Sequence, residues 1–221
     1  MNRRTFLATS GMATTGLIGG CLSEVSPGTG PDEGNESPNT TATVPSPRRV
    51  TLMETDDLSD YDLAVGVEML SSRVDQSSPA RLAIRTTNTG ERRRLQIEST
   101  PSCCLFNRED CWSHPKGLWL YHAESLPDER KNLRWEPDTD RGRIGGDYEC
   151  PEPIYEHGDA ITNEYEIWDD HVTSGYYPTG TFRFEASFEI WKPDTPEGSQ
   201  KYSKKLAEPT WGFSIDVTRS E

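Results

Sequence analysis

Phe182, Phe184, Ala186, Phe188 and Ile190 take alternate positions of one run, with Thr181, Arg183, Glu185, Ser187 and Glu189 between them. Only an extended strand sends successive side chains to opposite sides, so one face of this segment meets a core and the other meets water. The same period of two returns in Leu63, Val65, Val67 and Met69, and in Trp211, Phe213, Ile215 and Val217. It also marks Ala80, Leu82, Ile84 and Thr86, which precede the turn Asn88-Thr89-Gly90 and then Leu95 and Ile97. Leu118 and Leu120, with Trp119 and Tyr121 opposite, and Ile161, Tyr165 and Ile167 supply further strands. No segment carries a capped helical period. About seven antiparallel strands over roughly 160 residues predict an all-β fold, an immunoglobulin-like antiparallel β-sandwich spanning 59–221. A closed barrel is the alternative.

The opening residues follow a different logic. Arg3 and Arg4 start the run RRTFL, a mildly apolar stretch continues to Gly20, and Leu17-Ile18-Gly19-Gly20 leads directly into Cys21. An arginine pair ahead of such a stretch is a twin-arginine export signal, and small residues before a cysteine form a lipobox whose thiol takes a lipid. Residues 1–21 are therefore expected to direct export and anchor the chain to a cell membrane at Cys21, facing outside. Residues 22–58 are expected to be a disordered tether, being rich in Pro, Gly, Ser and Thr over most of their length and too poor in large apolar groups to offset their ordering entropy. Asn35-Glu36-Ser37 and Asn39-Thr40-Thr41 match the glycosylation pattern within it. No run reaches the roughly 18 apolar residues of a spanning helix.

Charge narrows the partners. The chain carries 37 Asp and Glu against 23 Lys and Arg, a net charge of −14, and the first 49 residues contribute none of the excess because four basic and four acidic residues cancel there. A phosphate backbone requires a basic face, so nucleic acid is not an expected partner. Seventeen Arg and six Lys make up the basic residues. Carboxylate-rich, lysine-poor surfaces stay hydrated when salt screens charge over about 3 Å, as in the roughly 1 M salt of a halophile.

Besides Cys21 there are four cysteines, Cys103, Cys104, Cys111 and Cys150. An even number in an exported domain predicts two disulfides. Adjacent Cα atoms lie about 3.8 Å apart, below the usual span of a bridge, so Cys103 and Cys104 are expected to split, one pairing with Cys111 and the other with Cys150. Two connectivities remain open. Together the bridges would pin residues 99–159, a long excursion with few apolar pieces, to a sandwich whose flanking strands complete the core without it. The rival reading of Cys103, Cys104, Cys111 and His114 as a metal site lacks the two spaced cysteine pairs of structural zinc.

Signals for catalysis are sparse. His114, His122, His157 and His171 are scattered, and Asp169-Asp170-His171 reads as a solvated strand end. Asp138-Thr139-Asp140-Arg141-Gly142 begins like a calcium loop without its later carboxylates. No nucleophile elbow, zinc-protease motif or phosphate loop occurs. No enzyme activity, cofactor or metal is expected. Six tryptophans and the pair Tyr176-Tyr177 remain; most would fill the core, while Trp119 and Trp191 fall off the apolar faces of their strands.

Two segments, PARLAIRTTNTGERRRLQI from Pro79 to Ile97 and WDDHVTSGYYPTGTFRF from Trp168 to Phe184, resemble exported haloarchaeal lipoproteins with an immunoglobulin-like domain. In those proteins an early hairpin has the form tNTGe and a PxGxYrF turn opens a late strand. The chain is more distantly similar to the sandwich of the bacterial intracellular proteinase inhibitors. The resemblance implies a fold and a compartment and carries no catalytic residues. The expected function is a lipid-anchored, non-catalytic surface module that binds an envelope protein or carbohydrate or assists an envelope complex. An exported metal-dependent enzyme or hydrolase and a proteinase inhibitor are the alternatives.

Overall fold

The computed structural model describes residues 46–100, 103–106, 111–125, 135, 150, 153–170, 173, 175–193 and 204–220. Arg3, Arg4, Cys21, Asn35, Asn39, the 138–142 loop and His171 lie outside them. Among the described residues the fold is all β: β1 (Arg48–Thr55), β2 (Leu63–Ser71), β3 (Arg73–Val74), β4 (Ala80–Asn88), β5 (Arg93–Leu95), β6 (Leu118–His122), β7 (Ile154–Tyr155), β8 (Ala160–Asp169), β9 (Gly180–Ser187), β10 (Ile190–Trp191), β11 (Lys205–Ala207) and β12 (Thr210–Arg219). Among the described residues helical structure is limited to single 3₁₀ turns at Ser59–Tyr61 and Ala123–Ser125. β1 corrects the expected tether, which would have run to residue 58. Val50, 1% exposed, alternates with polar neighbours, and the strand pairs with β12 from Arg48↔Arg219 to Thr55↔Phe213.

Strand order in the first sheet is β3-β1-β12-β9, in the second β2-β4-β8-β6, and in a short third β11-β10-β5-β7; every pairing is antiparallel. Register matches the period of two. Phe182, Phe184 and Ala186 on β9 face Ile215, Phe213 and Trp211 on β12, so their apolar sides coincide. In the second sheet Ala80 and Leu82 face Ile167 and Tyr165, and Leu120 lies beyond Ile167 on β6.

The space between these two sheets is filled from the excursion. Phe106, 1% exposed, lies with its ring centroid 6.1 Å from Tyr165 of the second sheet and 6.4, 6.2 and 5.7 Å from Phe184, Trp211 and Phe213 of the first. Edge-to-face geometry with Tyr165, Phe184 and Phe213 places the positive ring edge against a negative face. Cys104, Leu105, Cys111, Leu118 and Leu120 are buried in the same core. The expectation that the flanking strands complete the core without residues 99–159 is therefore wrong. An isolated Leu-Phe in a polar stretch has no periodicity to reveal it.

Both lateral edges of the sandwich are bridged. β2 passes through Ser72 into β3 and so changes sheets, with the Val50 amide donating to the Ser72 carbonyl at 2.8 Å. On the other side Trp112 pairs with Trp119 of β6, and His114 pairs with Arg183 of β9 through two backbone bonds of 2.7 and 2.8 Å. Asn88-Thr89-Gly90 was expected to turn a hairpin and does not. β4 belongs to the second sheet and β5 to the third, so the turn is a crossover. Asn88, fully buried, holds it by donating from Nδ2 to the carbonyls of Glu91, Tyr155 and Glu156 and accepting from the Gly90 amide. Glycine is required at position 90 because a Cβ would strike the Arg93 and Asp62 side chains, themselves joined at 3.1 Å.

Phe106→Ala is expected to destabilise the domain by about 3–5 kcal/mol, the usual cost of removing a buried aromatic ring. Leu206→Ala, at a side chain 48% exposed, should stay within about 0.5 kcal/mol. Urea unfolding of both variants checks the contrast.

Candidate functional site

The second sheet turns Leu120, Tyr165 and Ile167 to the core, so the alternate residues of β6 and β8 point away from it. These are Trp119 and Tyr121 on β6 and Glu164, Glu166 and Trp168 on β8, with Trp119 opposite Trp168 and Tyr121 opposite Glu166. Arg81 and Ala83 of β4 continue the rows beside Glu166 and Glu164. A water-facing surface thus carries an aromatic cluster.

Trp112 stacks on Trp119 at 3.8 Å and 33°, Trp119 lies 5.2 Å from Tyr121, Tyr121 lies 5.0 Å from Trp168, and Trp135 meets Trp168 edge-on at 5.6 Å. Lys116 Nζ sits 5.5 Å over the Trp112 ring, a cation–π contact. Trp168 is buried beneath its neighbours, whereas Trp112, Trp119, Tyr121 and Trp135 are half-buried. Trp135 is fixed at three points: its indole N–H donates to the Asp75 carbonyl at 2.7 Å, its amide to Tyr176 Oη at 3.2 Å, and its carbonyl accepts from the Asp169 amide at 2.7 Å. Beside the rings, Trp168 Nε1 donates to Glu166 Oε2 at 3.0 Å, and Arg81 Nη2 lies 2.7 Å from Glu164 Oε2. Planar faces and fixed donors and acceptors therefore adjoin on one surface.

Asp169 and Asp170, expected at a solvated strand end, are 1% and 0% exposed. Asp169 Oδ1 accepts from the Tyr177 amide at 2.5 Å, the Tyr177 hydroxyl bonds the Ile167 carbonyl, and Arg48 Nε donates to the Tyr177 carbonyl at 3.0 Å. Tyr177 has φ of 49°, a left-handed conformation costly for a bulky side chain, which these bonds and full burial hold in place. Asp170 accepts through Oδ2 from Thr173 at 3.3 Å. The acidic pair holds the connection to β9.

The other expected site residues are dispersed. His122 is buried; the Glu124 amide donates to its Nδ1, which leaves Nε2–H to donate to Asn163 Oδ1 at 3.2 Å. His114 and His157 are exposed on other segments. Cys103 bonds to Cys150 across 47 residues with Cα atoms 5.4 Å apart, realising the long bridge from the first member of the adjacent pair. Cys103 is thereby withdrawn from the four-residue metal set, and among the described residues no three His, Cys, Asp or Glu side chains stand close enough to share an ion. The second expected bridge does not form: no disulfide joins Cys104 and Cys111, which are both buried; Cys104 Sγ lies 3.3 Å from the Phe106 carbonyl, and burial pushes the Cys104 thiol up to about 11.

Parity pointed to Trp119. Trp112 and Trp135 lie in stretches without periodicity, and only the folded chain brings them to Trp119 and Trp168. Comparison with known proteins finds no matching family model, curated protein or solved structure.

Two outcomes test these assignments. Non-reducing peptide mapping should recover Cys103 joined to Cys150, and reduction of that loop should cost about 4 kcal/mol in the chain-entropy treatment. Burial pushes Tyr155 up to about 12 and Tyr165 and Tyr177 well above the ordinary tyrosine value. Because an unfolded tyrosine ionises near about 10, the contribution of Tyr155 is fully present below that pH and is lost as pH rises through about 12, while those of Tyr165 and Tyr177 are lost as pH rises through their own raised values. Alkaline titration should show tyrosinate absorbance rising together with loss of β structure; ionisation of every tyrosine in an intact fold would contradict it.

Proposed function

We propose that this chain is an exported, lipid-anchored surface module that binds carbohydrate, without catalysis, on the outer face of β6 and β8. The observation that carries the reading is the run of half-buried rings, Trp112, Trp119, Tyr121 and Trp135, around the buried Trp168. A sugar ring presents C–H groups on its flat faces and hydroxyls around its rim. Indole faces take the former, and Arg81, Glu164 and Glu166 in the adjoining rows suit the latter. Where rigid aromatics supply area at small entropic cost, binding surfaces use them. An anionic partner is disfavoured by the net charge of −14.

The compartment is part of the same proposal. Arg3, Arg4 and Cys21 support export by the folded-protein route and lipid attachment outside the cell, and the acidic, arginine-rich composition supports a haloarchaeal envelope. Two antiparallel sheets packed over one aromatic core support an immunoglobulin-like classification of the sandwich.

Titration of the full chain with envelope polysaccharide, followed by tryptophan fluorescence, tests the surface. Trp119→Ala should weaken binding about ten-fold, or ~1.4 kcal/mol, while Tyr61→Ala, at an exposed tyrosine on a separate segment, should not change it. Equal affinity of Trp119→Ala and the parent would refute the assignment. Anchoring is tested separately: Cys21→Ala should shift the protein from membranes to the medium, and replacing Arg3 and Arg4 by Lys should leave it inside the cell.

A further inference from the structure

Most sheet edges in this fold are short or covered. β3 and β7 have two residues each and β11 has three, while β6 and β9 are bridged by the 112–114 segment. β1 carries a bulge between Leu52 and Glu54, beyond the residues that pair with β3. β2 differs. It is an edge strand of nine residues, Leu63–Ser71, without Pro or Lys, and its one bulge lies at its end, between Met69 and Ser71. Its core-side residues are also incompletely covered. Val65, Val67 and Met69 are half-buried, whereas Thr86, Ile84 and Leu82 opposite them on β4 are buried. Leu70 is 43% exposed. A long, regular edge of this kind is a template for another strand.

We infer that the strand it takes is β2 of a second copy of this chain, paired antiparallel about a two-fold axis at Val67. The sequence of β2 is complementary to itself in that register. Val67 meets the partner's Val67, Val65 meets the partner's Met69, Ala64 meets the partner's Leu70, and Gly66 meets the partner's Glu68.

The last pairing carries the charge argument. On the outer face Gly66 lies between Arg85 of β4 and the edge, because Gly66 pairs with Arg85, and none of the described residues stands within 4 Å of where a Gly66 side chain would begin. Arg85 and Glu68 are both exposed, and among the described residues neither has an ion-pair partner. Two strand spacings set Arg85 and the partner's Glu68 about 10 Å apart at the backbone. An arginine and a glutamate together span that gap across a glycine. The row therefore reads Arg85, Gly66, the partner's Glu68, and the two-fold axis makes it twice. In a chain with net charge −14, this places a cation where two acidic copies must approach. The joined sheet would hold eight strands, with the aromatic surfaces of β6 and β8 at its two far ends.

Sedimentation of the full chain at about 0.5 M salt, where screening falls between about 10 and 3 Å, tests the pairing. At micromolar concentrations the expected species has twice the 24.8 kDa of one chain. Glu68→Arg should weaken the dimer about ten-fold, since it sets two guanidinium groups in each row and counts twice. Arg85→Glu should do the same, and the double variant should restore association to within about three-fold of the parent. Val67→Cys should yield a chain-to-chain disulfide on a non-reducing gel. A monomer at about 100 µM, a dimer indifferent to the charge changes, or a dimer in which Val67→Cys fails to cross-link would each overturn the inference. None of these readouts depends on carbohydrate binding.

Discussion

Packing of the two large sheets depends on a side chain that belongs to neither. The Phe106 ring lies between Tyr165 on one side and Phe184, Trp211 and Phe213 on the other, so the apolar faces of β8, β9 and β12 are joined through it. A ring arriving from a loop must be held against the entropy of that loop. The Cys103–Cys150 bond lies three residues before Phe106 and closes a separation of 47 residues. Residues 103–106 are all buried, which makes this turn a short piece of core set in an otherwise polar stretch. Covalent closure and aromatic packing therefore act on the same turn.

The excursion reaches the outside of the sandwich as well. Trp135 covers Trp168, and its backbone is tied to Asp169 and Tyr176. Asp169 in turn fixes the left-handed Tyr177, whose carbonyl is held by Arg48 at the start of β1. One chain of contacts thus runs from the first strand through a buried carboxylate to the aromatic surface. Displacing any member shifts the rings that form the candidate site. This is a reason to regard the acidic pair as a positioning feature of that surface.

Electrostatics act on a different scale. The described ion pairs are mostly exposed, as in Arg81–Glu164 and Arg92–Glu156, and each contributes little at high ionic strength. Arg93 and Arg183 are partly buried: Arg93 donates to the carbonyls of Tyr61 and Glu91 while it pairs with Asp62, and Arg183 pairs with Asp56. Cohesion comes from the apolar core, and the acidic surface sets solubility and the terms on which other molecules approach.

Sequence by itself determined the inward faces of the long alternating segments, because a period of two has one structural meaning: Phe182 to Ile190 and Trp211 to Val217 declare their buried sides without reference to any other residue, although it did not reveal β1 and the first of these runs is divided between β9 and β10. It also determined the acidic surface, the export and lipidation signals as expectations, and the separation of Trp119 from the core side of its strand. Tertiary structure alone decided which segments complete the core, which sheet each strand joins, and which aromatics gather. Phe106, Trp112 and Trp135 stand in stretches with no local period. Asp169 and Asp170 look solvated until Tyr177 and Thr173 come back over them. Asn88-Thr89-Gly90 has the composition of a hairpin turn, yet the carbonyls of Glu91, Tyr155 and Glu156 that satisfy Asn88 make it a crossover. Local chemistry sets how a strand is faced; partners distant in sequence set where it goes, since burial and hydrogen bonding are satisfied in space and not along the chain.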